Sequence, residues 1–253
     1  MKMKAIYFLA LMVAAVALLM TGVLVQASQM DDRIESSAKN SYVFKTYLKD
    51  DDVKIQSKDG VVTLTGTVSE ESHKLLAKEA VAGLPGATSV DNRLEVKGES
   101  RAEMSDAWLT AKVKTVLLFH RNVSAMTEVN TKGGIVTLQG NATSQAQKDL
   151  TTECAKDVEG VKDVKNEMTV STSSEMTHRT VGEKIDDASI TAEVKIALLF
   201  HRSTSAIHTK VNTKDGVVTL SGNAANAPEK DLVSKLVNDI KGVKSVNNQM
   251  TIE

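Results

Sequence analysis

An eight-residue phrase occurs three times in this chain, and its spacing limits the folds open to it. It reads Asp59-Gly60-Val61-Val62-Thr63-Leu64-Thr65-Gly66, then Gly133-Gly134-Ile135-Val136-Thr137-Leu138-Gln139-Gly140, then Asp215-Gly216-Val217-Val218-Thr219-Leu220-Ser221-Gly222. A second phrase opens 26 residues after the glycine shared by each copy, at Gly86, Gly160 and Gly242, and runs to Asn92, Asn166 and Asn248. The copies themselves stand 74 and 82 residues apart. Rigid spacing within a copy and variable spacing between copies describe small domains on linkers, because a continuous solenoid would keep one period.

Each copy shows the same order of patterns. A first helix carries apolar residues at i, i+4, i+7 and i+8 in the later copies (Leu109, Val113, Val116, Leu117; Ile190, Val194, Ala197, Leu198). The first copy is more divergent, with Ile34, Ala38 and Tyr42 at helical spacing and Asp31-Asp32 suited to a positive helix start. A short strand follows (Val53 and Ile55; Val129; Val211), then a tight turn. Gly60, Gly134 and Gly216 supply the positive φ of that turn, and turn geometry also accounts for Gly66, Gly140 and Gly222. On the second strand Val62 and Leu64, Val136 and Leu138, Val218 and Leu220 share one face opposite threonines, which predicts one buried and one wetter side.

A second helix repeats one apolar stripe: Leu76, Ala80, Val81, Leu84; Leu150, Cys154, Ala155, Val158; Leu232, Leu236, Val237, Ile240. Ser144 with Gln147, and Asn226 ahead of Pro228, are start signals for the later two. A closing strand ends each copy, and the crossover helix makes it parallel to the second strand. Asn92, Asn166 and Asn248 fall on the apolar face of that strand, where each either pins a nearby turn or offers a polar ligand contact. The expected architecture is α+β: three tandem αββαβ domains, each a three-stranded mixed sheet with two helices on one face. The domains run 30–97, 106–171 and 187–253, with polar linkers 98–105 and 172–186.

The order and both phrases resemble the BON domain, in three copies covering nearly all of the chain after its leader. The resemblance implies an exported, periplasmic protein of the osmotically inducible kind, associated with envelope maintenance and phospholipid contact. The start of the chain agrees. Lys2 and Lys4 precede an uncharged run from Ala5 to Val25 and a small-residue cleavage pattern at Val25-Gln26-Ala27. Residues 1–27 are thus either a removed signal peptide or, at that length, a retained inner-membrane anchor.

Composition removes several chemistries. A net charge of −1 and 3% aromatics offer neither a basic stripe nor a stacking surface, so no nucleic-acid partner is expected. Cys154 is the one cysteine and reads as a small buried hydrophobe, not a nucleophile. His73, His120, His178, His201 and His208 lack metal-ligand spacing, so no metal and no cofactor are expected. No catalytic motif appears, and the chain is expected not to be an enzyme. Two features remain for recognition. Leu-Leu-Phe-His-Arg occurs at 117–121 and 198–202. Its His and Arg either complement a helix carboxyl end, or Phe119, Arg121, Phe200 and Arg202 form an apolar, cationic edge for phospholipid. Trp108, the one tryptophan, is either an interfacial anchor or core. The expected partners are a phospholipid membrane surface or envelope proteins, with a periplasmic chaperone or scaffold role as the alternative.

Overall fold

The computed structural model describes residues 28–97, 105–123, 127–171, 184–204 and 209–252. The expected leader at 1–27, most of both expected linkers, His178 and His208 lie outside them. The first repeat comprises a helix over 28–40 (α1), α2 (Tyr42–Thr46), β1 (Asp52–Lys58), β2 (Val61–Val68), α3 (Glu71–Ala82) and β3 (Ser89–Val96). The second has α4 (Asp106–Phe119), β4 (Glu128–Lys132), β5 (Ile135–Gln139), β6 (Asn141–Ala142), α5 (Gln145–Lys156), β7 (Asp163–Asn166) and β8 (Thr169–Val170). The third has α6 (Asp187–Phe200), β9 (Thr209–Lys214), β10 (Val217–Ala224), α7 (Ala227–Asn238), β11 (Ser245–Asn248) and β12 (Thr251–Ile252). In every repeat the hairpin is antiparallel and the closing strand runs parallel to its central neighbour.

The constant 26-residue spacing has a direct cause. The hairpin turn and the turn before the closing strand lie at the same end of the sheet and bond to each other. Thr88, Lys162 and Lys244 donate their N–H to the carbonyls of Gly60, Gly134 and Gly216, at 2.8, 2.9 and 2.8 Å. Both hairpin-turn residues are left-handed, with φ of 53° and 78° at Asp59 and Gly60, as a two-residue hairpin requires. In the first copy the later glycine of the phrase is not a turn residue. Gly66 lies inside β2 at φ 116°, and a Cβ there would sit 1.9 Å from the Asp52 carbonyl oxygen of the adjacent strand. Close approach of two backbones, not a turn, demands that glycine.

A second tie holds the first helix to the hairpin. Asp31 accepts the Ser57 hydroxyl and the Asp59 and Gly60 N–H groups at 2.7 to 3.0 Å. Asp106 accepts from Gly133 and Gly134, and Asp187 from Asp215 and Gly216. The Gly133 and Gly134 donors hold the Asp106 carboxyl below the usual carboxylate range. A lowered carboxyl lends stability above its unfolded pKa, and that stability is lost as pH falls through the folded value. We therefore expect Asp106→Ala to speed amide exchange at Gly133 and Gly134, with exchange in repeats 1 and 3 unchanged. Equal protection in variant and parent would remove the clamp.

The three asparagines pin helix to strand. Asn92, Asn166 and Asn248 each donate to a carbonyl of the second helix, Lys74, Lys148 or Lys230, at 2.9 Å. Each side-chain oxygen accepts the N–H two residues on, from Leu94, Met168 or Met250. Both ends of the amide are thus satisfied by backbone. In repeats 2 and 3 the closing strand breaks just after this asparagine.

The helical layers of the repeats merge into one core. Val62, Leu64, Val136, Leu138, Val218 and Leu220 are all fully buried, and α3 and α4 both pack on α6. α6 is buried on nearly every side, Glu193 included, as expected of a helix enclosed by others. The small residues Ala188, Ser189 and Ala192 along it permit close approach, with the Ala188 Cα 3.5 Å from where a Gly83 side chain would begin. The first helix of repeat 1 is broken at Ser41 instead of running through. The break gives α2 its own start, whose free N–H groups are met by repeat 3: Tyr42 donates to Asp186 at 2.8 Å and Val43 to the Ser189 hydroxyl at 3.1 Å.

Candidate functional site

The two Leu-Leu-Phe-His-Arg segments meet. α4 and α6 end at Phe119 and Phe200, and the chain then turns extended at His120 and His201. Each segment lies against the turn after the second helix of the other repeat. Lys241 donates its N–H to the Phe119 carbonyl at 3.0 Å, and Arg121 donates its own to the Asp239 carbonyl at 3.0 Å. Reciprocally, Glu159 donates to Phe200 and Arg202 to Asp157, both at 2.8 Å. The result is two short antiparallel bridges, His120 with Ile240 and Val158 with His201, related by an approximate two-fold.

Side chains reinforce the bridges. Arg121 Nη2 donates to the Ile240 and Val243 carbonyls at 2.8 and 2.7 Å, and Arg202 Nη2 to those of Val161 and Val158 at 2.6 and 3.4 Å. His120 Nδ1 lies 2.7 Å from an Asp239 oxygen. His201 differs: its Nδ1 accepts the Ser203 N–H at 3.2 Å. Its Nε2 lies 3.2 Å from Asp157 without the alignment of a hydrogen bond. Burial holds His201 below its ordinary pKa, against the opposing pull of Asp157.

These positions decide what the segments present. Phe119 and Phe200 are buried at 1% and 3% exposure, so neither ring forms an open apolar edge. Phe119 meets Tyr47 edge-on at 5.6 Å, and Phe200 meets Trp108 edge-on at 5.7 Å. Arg121 and Arg202 are exposed as whole residues but direct one nitrogen each into the facing turn. Trp108 is half-buried, and Leu199 is exposed. Cys154 is half-buried, with its thiol pushed up to about 12 chiefly by burial, which leaves it protonated and unreactive at neutral pH.

A buried polar group sits where all three repeats converge. Both carboxyl oxygens of Glu193 are closed to solvent with no hydrogen-bond partner within 3.5 Å, and so is the Tyr47 hydroxyl. The hydroxyl lies beside the carboxyl and opposes part of the effect of burial on it, although the two are not aligned as a hydrogen bond. Burial drives the carboxyl well above the usual range, and Lys241 opposes that shift. The Lys241 ammonium donates to the Leu118 carbonyl at 2.6 Å. Asp157, Asp239, Glu193 and Tyr47 were not singled out from the sequence. One signal was available for the aspartates: they stand three residues before Gly160 and Gly242 only in the copies that carry Leu-Leu-Phe-His-Arg, while the first copy has Gly83.

Among the described residues no cluster of three or more His, Cys, Asp or Glu is placed to hold a metal ion. None of the described helices is long and apolar enough to cross a membrane. The chain is 37% identical over 148 residues to the osmotically-inducible protein Y of Escherichia coli, covering 58% of this chain and 72% of that one. It is 30% identical to the outer membrane lipoprotein DolP of Haemophilus influenzae, covering 57% and 72%. The Chlamydia trachomatis type III secretion structural protein CdsD aligns over 91% of this chain and 92% of its own at 16% identity, but a TM-score of 0.25 carries no argument. The BON domain model matches residues 30–98, 105–172 and 186–253, and with these relatives it shows that the chain belongs to the BON domain family.

Proposed function

We propose that this chain is a non-enzymatic envelope protein, exported to the periplasm, that contacts phospholipid surfaces or membrane-associated partners under osmotic or envelope stress. The names of its relatives support the compartment and the stress, since one is osmotically inducible and another an outer membrane lipoprotein. The contact reading rests on Trp108, whose indole leans on Phe200 yet remains partly open to solvent. Tryptophan with one side packed and one side free suits a membrane interface. A net charge of −1 gives no attraction to anionic lipid, so the contact would be apolar and weakly salt-dependent. Flotation of residues 28–253 with neutral and anionic vesicles tests this. Trp108→Ala should lower the partition roughly tenfold, about 1.4 kcal/mol. Absence of binding by the parent at low salt would sink the lipid reading.

The second reading, a scaffold or chaperone for envelope clients, is favoured by one repeated observation. Val61, Ile135 and Val217 occupy the same place on the three open sheet faces and are 37 to 42% exposed. Suppression of client aggregation that is indifferent to Trp108 would favour it.

A further inference from the structure

We infer that the joint between repeats 2 and 3 is a self-complementary interface that also forms between two copies of this chain, repeat 2 of one seating on repeat 3 of the other. Each of these repeats carries both halves of the contact: the Phe-His-Arg segment, and a turn whose carbonyls and N–H receive it. The bonds are made twice with roles reversed, which is the property that lets a surface pair by a two-fold. Repeat 1 has neither half. Gly83 stands where Asp157 and Asp239 stand, and Pro85 stands where Glu159 and Lys241 donate; proline has no N–H to give. The pairing is therefore specific to repeats 2 and 3.

Exchange requires no sheet to open. Each repeat completes its own hairpin and parallel closing strand from its own residues. Separating repeat 2 from repeat 3 therefore breaks the joint and leaves both sheets whole. The contact within one chain is favoured by an effective concentration on the order of millimolar. Pairing between chains should accordingly appear as protein concentration approaches that range, or when chains refold together and are trapped.

Disulfide trapping in the full-length chain separates the two arrangements. Asn122 Nδ2 lies 2.7 Å from Asp239 Oδ1 across the joint, at an exposed margin. Three chains are made in a Cys154→Ala background: Asn122→Cys alone, Asp239→Cys alone, and both together. The doubly substituted chain should form an internal disulfide, which reports that the joint exists. An equal mixture of the single variants, refolded together at roughly millimolar concentration and then oxidised, should give a covalent heterodimer. Adding Arg121→Ala and Arg202→Ala to both chains should abolish that heterodimer. An internal disulfide in the double variant with no heterodimer from the mixture would overturn exchange. Failure of both would overturn the joint itself, and a heterodimer of equal yield when the already folded single variants are mixed well below that concentration would show random collision and overturn exchange.

Discussion

The Arg121→Ala, Arg202→Ala double variant should uncouple repeats 2 and 3 while leaving each folded. Each guanidinium donates from one nitrogen to two carbonyls of the opposing turn. Hydrogen bonds from charged donors stabilise more than neutral ones, but these side chains are partly solvated, so a discounted figure of about 1–2 kcal/mol each applies. The two sites lie on opposite halves of the joint and share no bond, so losses of about 2–4 kcal/mol together are expected. Trp108 is the one tryptophan and packs on Phe200 beside Arg202, so its emission reports the joint directly. In urea the parent should show one transition; the double variant should show an earlier Trp108 red shift, ahead of loss of helical signal. Arg→Lys at both positions should recover only part of the difference, because an ammonium does not match the guanidinium fork. Coincident curves for parent and double variant would mean that Phe119, Phe200 and the backbone bridges hold the joint alone.

The contrast between what sequence made visible and what it concealed follows from range. Periodicity acts within a repeat, and it located the buried pair Val62 and Leu64 and their counterparts because strand alternation and helix stripes are local. It also marked Asn92, Asn166 and Asn248 as polar groups on an apolar face, and their bonds are local to each repeat. The assignment of the second-helix stripe was less complete: Val233 is buried while Leu232 and Leu236 are only half-buried, since neighbouring positions on a wide stripe differ little in pattern. The joint was hidden for another reason. Leu-Leu-Phe-His-Arg carries the composition of a helix end and of a lipid-facing edge alike, and only the placement of a different repeat tells which face is covered. Glu193 lay within a regular stripe whose outward side is normally solvated; three repeats converging on α6 reversed that, and no pattern inside one repeat encodes it.

Glu193 therefore carries the prediction that reaches across the whole molecule. Its carboxyl has no bonded partner, and its surroundings are the Tyr47 hydroxyl, the Lys241 ammonium and Asp186. Burial raises its pKa above the unfolded value near 4.3, so the folded chain holds a proton that the unfolded chain releases. Stability from the neutral carboxyl is thus fully present below the unfolded pKa and is lost as pH rises through the folded one. Burial also lowers Lys241, with Glu193 resisting, so the two titrate as a coupled pair, and the carboxyl's loss is moderated where both are charged. Glu193→Gln keeps the shape and removes the ionisation. Across pH 5 to 9, the parent's urea midpoint should fall relative to the variant's as pH rises. Each unit by which the folded pKa exceeds the unfolded one costs about 1.4 kcal/mol at a pH above both. Because Tyr47, Leu118 and Glu193 belong to different repeats, that loss should appear as loosened association among all three before any one repeat melts. Parallel pH profiles for parent and variant would mean that the carboxylate is already solvated or fully paired when ionised, and that the convergence of the repeats does not depend on its charge.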